Sequence, residues 1–129
     1  MNRKVMVASM IGLLLLVLGG AWILRFERQA RAPVALGARA ARSSARVRQQ
    51  LGEPMRVSRI VKGRILTNQG DGNADLTVQI RGPLGRGKLN EWAQEENGKW
   101  HICGLQFESS DDSASITLVD ESLTHCERE

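Results

Sequence analysis

The sequence predicts an α+β protein in which an N-terminal transmembrane helix precedes one amphipathic helix packed on an antiparallel β-sheet of five or six strands. Three observations carry this reading. An uncharged apolar run of about twenty residues lies near the N-terminus. Apolar residues between Pro33 and Leu51 recur at spacings of three and four. After Pro54 the period falls to two, with glycine-rich turns between the apolar stretches. Of the 129 residues, about a hundred remain outside the apolar run, enough for one hydrophobic core and too few for two.

The apolar run extends from Val5 to Leu24 and is interrupted only by Ser9 among polar residues. Leu13, Leu14, Leu15 and Leu16 form its centre, and Trp22 and Phe26 fall where an interfacial aromatic belt belongs. A cleaved signal peptide has a shorter apolar core, of about 7–15 residues. The only Ala-x-Ala site here, Ala30-Arg31-Ala32, is followed by Pro33, and no cysteine is near enough for lipoprotein processing. A retained signal anchor follows. The expected organisation is a basic flank at 1–4, the anchor at 5–24, a basic juxtamembrane linker at 25–32, an α+β domain at 33–119 and a polar, frayed tail at 120–129.

Net charge is +4 but strongly polarised. Residues 25–64 carry eleven Arg or Lys against Glu27 and Glu53, whereas residues 91–129 carry ten acids against Lys99 and Arg128. Basic residues directly after a membrane helix are attracted to anionic head groups by about 1 kcal/mol each. This makes Arg25, Arg28, Arg31, Arg39, Arg42 and Arg46 candidates for membrane-surface contact, with membrane lipid as a partner. A basic helix facing an acidic sheet within the fold accounts for the polarity equally well. Aromatic residues amount to 4 % and are not interleaved with basic ones, as base-stacking surfaces require, so nucleic acid is not an expected partner.

In the domain, Leu36, Ala40, Ser44, Val47 and Leu51 share one helical face, with Arg39, Arg42 and Arg46 in a separate stripe. Pro33 suits a first turn, and Gly52-Glu53-Pro54 ends the helix. Met55, Val57 and Val61 open the strands, and Asn68–Asn73 reads as a turn. Asp75–Arg81 is the clearest strand, since Leu76, Val78 and Ile80 alternate with polar residues. The glycine-rich segment 82–87 reverses the chain, Lys88–Gln94 is a strand and Glu95–Lys99 a turn. Trp100–Phe107 is apolar on both faces and reads as a central strand; Ser109–Ser113 turns into a last strand, Ala114–Val119.

The punctuation of this region is Leu51-Gly52-Glu53-Pro54, Gly63, Gly70-Asp71-Gly72-Asn73-Ala74, Gly82-Pro83-Leu84-Gly85-Arg86-Gly87 and Gly98-Lys99-Trp100. In that order and spacing it resembles the cytochrome oxidase complex assembly protein 1 family. The resemblance runs from about Leu51 to Leu118, and the anchor fits it. The residues that carry it are Gly52, Pro54, Gly63, Gly72, Ala74, Gly82, Pro83, Gly85 and Trp100. Leu84 stands where the family's turn commonly has a lysine, and Asn90-Glu91-Trp92 alternates less regularly than the family strand. The domain also looks like that of a presequence-translocase subunit of the mitochondrial inner membrane. The resemblance implies a factor that assembles or stabilises a respiratory oxidase in an inner, cytoplasmic-type membrane. It further implies a domain on the non-cytoplasmic side, an oxidase subunit as client, no enzymatic activity and no cofactor. The positive charges on the two sides of the anchor do not settle its orientation, and the residues do not specify an oligomeric state.

Candidate chemistry is sparse. Extending a hairpin centred near Asp111 places Cys126 more than about 20 Å beyond the residue facing Cys103, whereas a disulfide needs Cα atoms within about 7 Å. A Cys103–Cys126 bridge therefore requires the tail to fold back, and a buried Cys103 thiol is the simpler expectation. His101 with Cys103, and His125 with Cys126, offer donors for copper or zinc, which gives an alternative reading as a small extracytoplasmic sensor or metal-carrying domain. His101 and Cys103 are expected on opposite faces of their strand, so that a shared ion would need a bulge. Glu91, Glu95, Glu96, Asp111 and Asp112 read as a solvated acidic rim, and Trp92 and Trp100 as packing residues.

Overall fold

A computed structural model describes residues 2–111 and 115–126, apart from the Glu27 side chain. Helix α1 runs over Arg3–Ser43 and α2 over Ala45–Leu51. The basic linker expected at 25–32 is thus helical, and α1 passes through Pro33 although proline has no N–H to give the preceding turn. The helix expected as one piece over 33–51 divides at a serine pair. Ser43 Oγ donates to the Arg39 carbonyl at 2.9 Å. Ser44 is extended (φ −82°, ψ 119°) and accepts from Val47 N as the N-cap of α2. Serine hydroxyls compete for helical backbone groups in this way, which makes the pair a natural break.

The break also changes which face is buried. Ala30, Pro33, Gly37, Ala38 and Ala41 lie against the sheet, while Leu36 and Ala40 are only half-buried and Ser44 is the cap. Val47 and Leu51 are buried from α2, as expected. The larger aliphatic residues point to one face of a continuous helix; the structure instead uses the small ones, which let backbone approach sheet. At Gly37 the approach is so close that an added Cβ would overlap the Glu91 carboxylate.

Strands β1 (Arg56–Asn68), β2 (Asp71–Gly82), β3 (Gly85–Glu96), β4 (Lys99–Ser109) and β5 (Ser115–Val119) form one antiparallel meander in chain order. The count and class match expectation, but the turns are shorter. Gln69-Gly70 and Asn97-Gly98 each have two consecutive positive φ values, the signature of a tight type I′ hairpin whose twist matches that of the strands. Gly72, Gly85 and Gly87 accordingly lie inside strands rather than in loops. Strand β3 is central, not the Trp100–Phe107 segment, which belongs to the penultimate strand. The turn expected at Ser109–Ser113 and the start of the last strand lie partly outside the described residues.

The core lies between α1, α2 and the inner sheet face. Near the hairpin turns at Gly70 and Gly98, Ala30 packs with Ala74, Leu76 and Ala93, joined by half-buried Phe26, Ile65 and Trp100. Towards the other end, Ala41, Val47 and Leu51 meet Val78, Ile80, Leu89, Leu105 and Phe107. Phe26, expected at a membrane interface, is therefore part of the domain. Six residues, about 9 Å of helical rise, separate Leu24 from buried Ala30.

Gly63 in β1 has φ 132°, and a Cβ there would run into the Asp75 carbonyl of the neighbouring strand. Gly63→Ala should lower the unfolding free energy by about 1–3 kcal/mol, read as a reduced denaturation midpoint of the detergent-solubilised chain by circular dichroism.

Candidate interaction face of the sheet

Because α1 and α2 cover the inner face, alternation sends Asp75, Thr77, Gln79, Lys88, Asn90, Trp92 and Gln106 to the outer one. The outer face is polar and internally bonded: Thr77 Oγ1 donates to Asn90 Oδ1 at 3.0 Å, and Gln106 Nε2 to Ser115 Oγ at 3.0 Å. At the end remote from the apolar part of α1, a groove of about 1270 Å³ is lined by Arg42, Arg56, Arg59, Arg81, Arg86 and Lys88. Its acidic member, Glu108, pairs with Lys88 at 3.2 Å. Of the basic residues singled out from the sequence, only Arg42 enters this groove, where it donates to the Met55 carbonyl. Arg25, Arg28, Arg31, Arg39 and Arg46 are exposed elsewhere along the helices. The groove escaped sequence reading because its arginines come from strands adjacent only in the folded sheet.

Trp92 faces outward yet is 5 % exposed. It pairs across the ladder with Gly104, whose missing side chain leaves room beneath Glu121. A cavity of about 410 Å³ lies here, bounded by Thr77, Asn90, Trp92, Gly104, Thr117 and Glu121. The expectation of a frayed tail fails at this point. A short 3₁₀ turn, Glu121–Leu123, is capped by Asp120, whose Oδ1 accepts from Ser122 N at 2.9 Å and from Ser122 Oγ at 2.7 Å. These bonds to the carboxylate also hold the Asp120 pKa below its usual value.

The turn reverses the tail across the outer face. Thr124 Oγ1 lies 3.0 Å from the Cys103 carbonyl, and Cys126 is joined to Cys103 by a disulfide with Cα atoms 5.7 Å apart. The extended-tail argument for a free Cys103 thiol is thereby corrected, because it assumed that no reversal follows β5. The expectation that His101 and Cys103 lie on opposite faces is corrected as well, since residues two apart in a strand share a face. Register shifts between Trp92 and Ala93, so that Gly104 and Ile102 are their partners and Cys103 is the extra residue of a β-bulge. With the tail returned to their side of the sheet, His101, Cys103 and Cys126 bring their donor atoms within 4.8 Å of one another.

Glu91 departs furthest from expectation. It sits mid-strand on the inner face, 4 % exposed, not on a solvated rim. Neither carboxylate oxygen has a hydrogen-bond partner, and desolvation raises its pKa to about 8. The one sequence clue to its burial is alternation, since Leu89 and Ala93 on either side of it face inward.

The residues carrying the family resemblance do not converge on a site. Gly52, Pro54, Gly82, Pro83 and Gly85 shape the junction of α2 with the β2–β3 hairpin, where Leu84 N donates to the Leu51 carbonyl at 2.8 Å. Gly63, Gly72, buried Ala74 and half-buried Trp100 serve the sheet and its packing. Among the described residues, α1 is the helix long and apolar enough to cross a membrane, with a window of mean hydropathy 2.4 that the protein leaves uncovered. Val5, Leu13, Leu14, Leu15, Leu16, Trp22 and Leu24 are all exposed on it.

An apolar helix long enough to cross a membrane, continuing into a helix-backed meander with a polar outer face, defines the class: a small α+β module with one candidate membrane span. The chain belongs to the cytochrome oxidase complex assembly protein 1 family, whose model matches residues 5–120. The match spans the apolar helix as well as the whole sheet, and with that helix it indicates membrane association and a role in oxidase assembly. No curated protein and no solved structure matches the chain.

Two predictions follow from the buried groups. Because the folded pKa of Glu91 exceeds the ordinary carboxyl value of 4.5, the folded state binds the proton more tightly. Stability is then greatest below about pH 4.5 and falls by about 1.4 kcal/mol per unit until pH passes about 8. The cumulative loss is on the order of 5 kcal/mol. Urea unfolding at pH 5 and pH 9 should show about 4 kcal/mol of this loss in the native chain and its absence in Glu91→Gln. The bridge spans a sequence separation of 23 residues, so Cys126→Ser should cost about 3 kcal/mol in unfolding free energy, and added reductant should bring the native chain to the same value.

Proposed function

We propose that this chain is a single-pass, membrane-anchored factor that assembles or stabilises a respiratory cytochrome oxidase through protein–protein contacts, without catalysing a reaction. The observation that carries the reading is the family match over residues 5–120, which takes in anchor and sheet together. Anchoring confines the module near membrane-embedded clients, and the raised effective concentration lets individually weak contacts suffice. The continuous α1 adds orientation, since the helix that leaves the lipid is the one that seats on the sheet. Membrane lipid is then a partner through Val5–Leu24, with Arg25, Arg28 and Arg31 at the head groups.

The domain lies on the non-cytoplasmic side of an inner membrane in this reading, and the Cys103–Cys126 bridge favours that side because disulfides persist in oxidising compartments. The basic groove at Arg56, Arg81 and Arg86 suits an acidic patch on the client. Purification in mild detergent should recover oxidase subunits or assembly intermediates, and Arg56→Glu/Arg81→Glu/Arg86→Glu should reduce that recovery about tenfold, as expected where like charges are juxtaposed. Recovery of no oxidase component, together with normal oxidase levels in a deletion strain, would rule the reading out.

A further inference from the structure

The two-residue spacing of His101 and Cys103 in β4 and the reversal of the tail have one chemical result that neither feature has alone: an imidazole and two sulfurs converge within 4.8 Å. We propose that reduction of the Cys103–Cys126 bridge converts His101, Cys103 and Cys126 into a binding site for one soft monovalent metal ion, Cu(I). This does not rest on the oxidase reading, and Cys126 lies beyond residue 120, where the family match ends.

Pre-organisation is the first argument. The tail is held by more than the disulfide: Asp120 caps the 3₁₀ turn through both groups of Ser122. The Thr124 hydroxyl lies 3.0 Å from the Cys103 carbonyl and 2.9 Å from that of Glu121, shared between the two. Opening the sulfur–sulfur bond therefore leaves Cys126 close to Cys103. With Cα atoms 5.7 Å apart, both sulfurs can reach one ion at bond lengths of about 2.3 Å.

Donor type is the second argument. Thiolates select soft ions, and two thiolates with one imidazole supply three ligands. Zn(II) in closed structural sites takes four, and no fourth His, Cys or carboxylate joins the cluster among the described residues. Low coordination suits Cu(I). His101 is exposed, so the ion has an entry path, while Cys103 is fully buried and shields the sulfur side from water.

The chemistry balances as an exchange followed by a binding step. A dithiol reductant transfers two hydrogen atoms to the bridge, giving two cysteine thiols and leaving the reductant as its own disulfide. Cu(I) then displaces both thiol protons, forming two Cu–S bonds and one Cu–N bond to neutral His101. Oxidation back to the bridge expels the ion, so occupancy follows the redox state of the compartment.

The test uses the full chain in detergent under anaerobic conditions, titrated with Cu(I) against a chromophoric chelator. The reduced chain should hold one Cu(I) and the oxidised chain none. His101→Ala, which keeps the bridge and so reports on folding, should weaken binding about tenfold. Cys126→Ser should weaken it by on the order of 100-fold. Bound Cu(I) should also protect both thiols from alkylation, read by mass spectrometry. Equal Cu(I) affinity in the oxidised and reduced chains, unchanged affinity in His101→Ala, or retention of Zn(II) but not Cu(I) would each overturn the proposal.

Discussion

The contact on which the rest of the structure depends is the lengthwise seating of the small-residue stripe of α1 on the inner face of the meander. Ala30, Gly37 and Ala41 bring the helix close enough for Leu76, Ala93, Leu105 and Phe107 to lose their water, and burial of that kind is the main favourable term in a domain of this size. An antiparallel sheet of this length with one apolar face open would have no such compensation. The same closeness explains why Glu91 is stripped of hydrogen-bond partners, since its carboxylate occupies the space that a side chain at Gly37 would claim.

Continuity of α1 ties this packing to the apolar helix. No flexible segment intervenes between Leu24 and the first buried residues of the domain, so the orientation of the sheet is set by helix geometry and not by a linker. The hairpin turns at Gly70 and Gly98, joined by the Gly98 N–Gly70 O bond of 2.8 Å, lie at the apolar end. The basic groove lies at the other end. The basic end of the sheet is thus the one furthest from the apolar part of α1.

The outer face is organised by its tail. Gly104 leaves a gap opposite Trp92, the capped turn at Glu121–Leu123 lies across it, and the disulfide ties down the end. An indole that would otherwise be open on the solvent side is thereby covered. His101 and Cys103, two residues apart in β4, direct their side chains to one side of the strand, and the returning tail brings Cys126 to them.

Much of this was legible residue by residue. The uncharged run from Val5 to Leu24, the alternation of Leu76, Val78 and Ile80, and the Asn97-Gly98 turn are local signals, and each is set by forces acting over a few residues: hydropathy, pleat and permitted φ. The sequence by itself therefore determined the apolar helix, the α+β class and an antiparallel sheet of about this many strands. What only the tertiary structure decided are the choice of Ala30, Gly37 and Ala41 over Leu36 and Ala40 as the docking face, the burial of Glu91, the bulge at Cys103 and the return of Cys126. Each of these depends on segments far apart in the chain meeting at ångström range, where one register shift or one missing Cβ settles the outcome, and no periodicity within a single segment encodes that encounter.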